Sequence, residues 1–129
     1  MTEKNAGDIA RELWKGVSNS DVETLVQLSE PDIVWHASGR GPRAGDFRGR
    51  DAVLDYLARI GDDVERWDVE LDDVLVGDVY AAMLLRVTGE RPARSLSAGF
   101  VLIFRFTAGR VAEVWSVARD QFAVDEFWS

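Results

Sequence analysis

Apolar residues recur at helical spacing in the first half of the chain and at every second position in the rest. Ile9, Leu13, Trp14 and Val17 share one side of a helix expected over residues 5 to 17, closed by the polar run Ser18-Asn19-Ser20. Ser20 and Glu23 have the spacing of a capping box. It opens a second helix whose buried face holds Val22, Leu25, Val26 and Leu28, and Pro31 ends it. Ile33 to Ala37 reads as a short strand, followed by a glycine- and proline-containing loop from Ser38 to Asp46. Asp51 can cap a third helix with Val53, Leu54, Leu57 and Ile60 on one face, Tyr56 beside that face and Gly61 as its stop.

From Trp67 onward the period becomes two. Trp67, Val69 and Leu71 alternate with Asp68, Glu70 and Asp72, and three more strands follow, with turns at Gly77-Asp78, Gly89 to Ala93 and Thr107 to Gly109. The apolar phase slips between Leu71 and Val74, which predicts a bulge, the device that bends a sheet. Helices followed by an antiparallel meander define an α+β fold in a single domain, 1–129. On the strand from Ser95 to Phe106, Leu96, Ala98, Phe100, Leu102 and Phe104 line one face, yet Val101 and Ile103 on the other are also apolar. Helices cover only one face. With Leu84, Trp115 and Val117 added, the outer patch predicts a homodimer through that face.

Composition narrows the function classes. A net charge of -8 without a Lys/Arg stripe disfavours nucleic acid. The polar start is unlike a signal peptide, and no apolar run approaches the roughly 18 residues of a membrane span, so no membrane association and a cytoplasmic location are expected. With no cysteine and one histidine, thiol nucleophiles, Ser-His-Asp triads and ordinary metal spacings have no residues to build on, and no metal or cofactor is expected.

Several ordered fragments then point to a family. Trp35-His36-x-x-Gly39, Gly45-x-Phe47-x-Gly49-Arg50-Asp51, Val74 to Asp78, Phe104-Arg105-Phe106, Gly109-Arg110-Val111-x-Glu113-Val114-Trp115 and Asp120 together resemble the SnoaL-like branch of the nuclear-transport-factor-2-like superfamily. The resemblance implies three helices on a strongly curved antiparallel sheet enclosing a conical apolar pocket. It implies a cofactor-free acid/base enzyme acting on a polyketide-like or terpenoid-like intermediate by aldol-type cyclisation or isomerisation. A non-catalytic binding or scaffold module and an epoxide-opening enzyme are the alternatives, since one fold hosts many functions. By similarity to ketosteroid isomerases, the general base falls at Ala37 and the oxyanion-hole groups fall near Leu13 or Trp14 and near Leu102. Those acidic and phenolic groups are absent here, so steroid-type isomerisation is disfavoured.

The resemblance makes Asp120, five residues after Trp115, the leading catalytic candidate. Strand parity places it with Val114, Ser116 and Ala118 on the pocket side, where burial would raise its pKa towards useful proton exchange. The competing reading is a helix cap or a solvated ion pair. His36, the second catalytic candidate, points opposite to Trp35 and Ala37, which favours a structural hydrogen bond. Trp14, Trp35, Ala37, Tyr56, Leu85, Phe100, Leu102, Phe104 and Ser116 are the expected substrate-binding wall, suited to a flat apolar molecule. Arg86 is expected on the outer face beside a carboxylate. Arg40 and Arg43 are expected to be solvated in the glycine-rich loop.

Overall fold

The computed structural model describes residues 6–18 and 22–129. Four helices and six strands follow in the order α1 (Ala6–Ser18), α2 (Val22–Gln27), β1 (Ser29–Ala37), β2 (Gly45–Arg48), α3 (Arg50–Asp62), β3 (Arg66–Val76), β4 (Tyr80–Arg91), β5 (Arg94–Thr107), β6 (Arg110–Ala118) and α4 (Gln121–Trp128). The strands form one open sheet in the order β2-β1-β6-β5-β4-β3. Neighbours are antiparallel except β1 and β6, which run parallel, so the expected pure meander holds only for β3 to β6. The crossover follows from α3 and four strands, β2 to β5, intervening between β1 and its partner.

The helical periodicity is realised in packing. Ile9, Ala10 and Leu13 of α1 are fully buried, and Val53 and Tyr56 anchor α3. The expected capping serine, Ser20, lies outside the described residues. For α3 the structure corrects both ends. Its N-cap is Gly49, at φ 88 and with no side-chain cap, Asp51 stands in the first turn, and Gly61 lies inside the helix, which runs to Asp62 and has Asp63 as its C-cap. The positive φ explains why glycine occupies the cap. Pro31 stands inside β1, not at a helix end, and is tolerated because β1–β6 pairing is interrupted between Ser29 and Val34.

The predicted bulge is present: the β3–β4 register shifts between Leu71 and Asp73. The turn expected at Gly89 to Ala93 is shorter, because β4 continues to Arg91 and pairs with Arg94. Gly89 is a packing residue. A Cβ there would meet Trp67 at 2.9 Å and Phe127 at 3.2 Å. Two elements were not expected, the short edge strand β2 within the glycine-rich segment and the terminal helix α4.

Candidate functional site

Two apolar clusters bracket the site. One joins α1, α3 and the sheet around Leu13, Trp35, Tyr56, Met83 and Phe104; the other gathers Val124, Phe127 and Trp128 of α4 on Val87, Leu96 and Ala98. A cavity of about 1010 Å³ is lined by residues of both. Sheet register explains which side chains reach it. Ala37, Ser116 and Leu102 are cross-strand partners on the inward face, and the next rows supply Phe100 with Leu85, then Val87 with Val69. Trp35 and Tyr56 complete the expected wall, their ring centroids 6.1 Å apart, and Phe47 stacks on Tyr56 at 4.3 Å.

Two expected wall residues lie elsewhere. Phe104 has the right parity but the wrong depth: it sits in the row Trp35, Val114, Phe104, Ala81, is fully buried, and fills the solid core. Trp14 packs, half-buried, against the same core and does not line the cavity.

The polar groups of the cavity are unevenly distributed. Among the inner wall residues, Tyr56 carries a phenol that burial pushes up to about 12, against the opposing charge of Arg43, so it is neutral at physiological pH. Trp35 is 5% exposed and its Nε1–H has no hydrogen-bond partner. Charged side chains belong to the rim. Arg43, expected in solvent, is half-buried there, over the Trp128 ring at 4.9 Å and ion-paired with Asp63. Glu65, Arg66, Asp68 and Glu70 also line the rim, with Arg66 bound to Asp68 at 2.5 Å.

The pocket-facing placement expected for Asp120 is not found. Asp120 is exposed, does not line the cavity, and caps α4 by accepting a hydrogen bond from the Ala123 N–H at 3.1 Å. Its backbone has left strand geometry, because pairing with β5 ends at Ala118. His36 lies on the outer face, as parity indicates. Its Nδ1 is 2.7 Å from Asp46 and its Nε2 2.5 Å from Glu113, and the ring stacks on Trp115. Glu113 also accepts from Arg105 at 3.2 Å. Burial pulls the His36 pKa down, but hydrogen bonds and charge from Asp46 and Glu113 outweigh it, leaving the pKa above 6.5. Arg86 is exposed and pairs with Asp72 at 3.4 Å.

Terminal helix α4 closes one side of the cavity with Gln121, Val124 and Trp128. Its Asp125 accepts hydrogen bonds from the Arg40 and Gly41 backbone N–H groups and from Gln121. Sequence periodicity could not reveal this wall, since eight residues give too few turns for a pattern. Val69 and Val87 were legible in principle from strand parity with Leu85. Among the described residues no group of His, Asp and Glu side chains is arranged to hold a metal.

The SnoaL-like domain family matches residues 10–114. The chain belongs to that family. This SnoaL-like protein is also 29% identical to an uncharacterised protein of Mycobacterium tuberculosis, with all of both chains covered. The solved structure of Bal32a, from a soil-derived mobile gene cassette, superposes with a TM-score of 0.90 at 30% identity, over 96% of each chain. A candidate isomerase from Rhodopseudomonas palustris superposes with a TM-score of 0.72 at 26% identity, covering 98% of this chain and 96% of that one. The architecture of the SnoaL-like protein is the nuclear-transport-factor-2-like fold, shared with a candidate SnoaL-like polyketide cyclase from Jannaschia. No helix among its described residues is long and apolar enough to cross a membrane.

Proposed function

We propose that this SnoaL-like protein binds a flat, apolar, polyketide-like or terpenoid-like molecule in the cavity between its two apolar clusters. The observation that carries the reading is the cavity of about 1010 Å³, whose inner wall is aromatic and aliphatic with a few neutral polar groups. Such a composition suits a ligand that gives up its hydration for apolar contact while one or two polar atoms set its orientation. Titration with Nile red, a neutral flat dye, tests it. Saturable binding at one dye per chain is expected, and Ala37→Phe, which projects a ring into the cavity, abolishes it while the circular dichroism spectrum is kept. Binding unaffected by the ring overturns the reading.

Catalysis of ring closure or isomerisation is the second reading, favoured by family membership and by the relative described as a candidate isomerase. No carboxylate or imidazole stands on the inner wall among the described residues. Acceleration then draws on confinement near attack geometry and on hydrogen bonds to developing negative charge, not on an inward general base. The exposed position of Asp120 argues against it as that base. We assign the outer apolar sheet face to a second copy of the chain.

A further inference from the structure

We infer that Arg43 latches the mouth of the cavity, so that a ligand enters and leaves while the ion pair of Arg43 with Asp63 is open. The inference rests on the small-molecule-binding reading above and adds how that site exchanges its ligand. Cavity-lining residues from α1 and the inner rows of the sheet, such as Gly16, Leu85 and Leu102, are buried. Exposed ones gather instead where α3 gives way to β3, at Ala58, Gly61, Glu65 and Arg66, so the cavity opens there. Asp63 stands in the middle of that junction as the C-cap of α3. Arg43 reaches it from the loop after β1.

Arg43 joins the three elements that border this end of the cavity. It pairs with Asp63, donates to the Arg59 carbonyl of α3 at 3.5 Å, and lies over the Trp128 ring of α4 at 4.9 Å. The loop and α4 are already one unit, because Asp125 accepts from the Arg40 and Gly41 N–H groups. Every polar link from that unit to α3 among the described residues runs through Arg43. The pair has the strength of a latch and not of a rivet. The Asp63 side chain is 49% exposed and that of Arg43 17%, so water and salt compete for the carboxylate and the pair opens readily. Opening returns the guanidinium to water and uncovers Trp128, whose ring lines the cavity.

Stopped-flow mixing with Nile red tests the latch. Asp63→Asn removes the anion, and Arg43→Met removes the cation while keeping an apolar stem over Trp128. Each is expected to raise the association and dissociation rates together, by up to about fivefold, the worth of a partly exposed ion pair, and to leave the Kd in place. Added sodium chloride speeds exchange in the wild type, a readout that needs no substitution, and leaves the variants unmoved. Wild-type rates in the two variants overturn this inference and leave the cavity reading standing. A weaker Kd carried by faster dissociation alone makes Arg43 a ligand contact and overturns the latch as well. Failure of Nile red to bind the wild type overturns both readings.

Discussion

Asp120 spends its carboxylate on the Ala123 N–H, one of the orphan donors of a helix start. Asp120→Ala therefore removes a cap and is expected to destabilise the fold by about 0.5–2 kcal/mol in urea denaturation. Asn caps equally well, so Asp120→Asn keeps both stability and Nile red affinity. A marked loss of turnover with Asp120→Asn, on any substrate found, would restore this residue to the chemistry. His36 makes a different prediction. Its folded pKa is raised, so its stabilisation is complete below about 6.5, the unfolded value, and is lost as pH rises through the higher folded value. Glu113 acts with opposite sign: the His36 hydrogen bond leads in holding its pKa below 4.5, and that contribution disappears as pH falls through the lowered value. The melting temperature should decline as pH rises above about 6.5, and His36→Gln should flatten that decline. As the single histidine, it can be followed by one imidazole resonance. Parity was legible for His36 and Trp35 because β1 is regular where it pairs with β6. It misled for Asp120 because alternation has meaning only while a strand is paired, and pairing stops two residues earlier.

Terminal helix α4 is too short to be stable alone and is held from outside. Arg91 donates to the Phe127 carbonyl and Arg94 to the Glu126 carbonyl, each at 2.5 Å, where the helix leaves its last carbonyls unpaired and its dipole is negative. Asp125 ties the helix to the loop after β1. Carbons added at Gly39 or Gly41 would crowd Asp125 or Gln121, so the glycines there permit a close approach. Asp125→Ala is expected to speed hydrogen exchange at the Arg40 and Gly41 amides while leaving exchange in β4 and β5 unchanged. Unaltered exchange at those two amides would mean that the loop is fixed by other contacts. These links explain what the sequence reading lacked at this scale. Long elements with sustained periodicity, α1, α3 and β3 to β6, were legible. The four residues of β2 and the eight of α4 are specified by contacts with distant segments, which no local pattern encodes.

At the scale of the molecule the sheet remains two-sided. Its inner face is covered by helices, while the outer face presents half-buried Leu84, Val101, Ile103 and Trp115 beside Val117, which is 40% exposed. Cross-strand pairing brings Ile103 next to Trp115 and Val101 next to both Leu84 and Val117, so the patch is continuous. Light scattering is expected to return twice the 14.4 kDa chain mass, and Ile103→Glu to return the single mass with Nile red binding intact. A monomer in the wild type would leave this surface without the assigned partner. The arrangement of the interior carries a further consequence. Because the hollow lies between two packed clusters, partly buried side chains bordering it, such as Ala37 and Ser116, can be enlarged or trimmed while the buried members of each cluster keep their seal. Chains built on this plan can drift in what they admit and still fold.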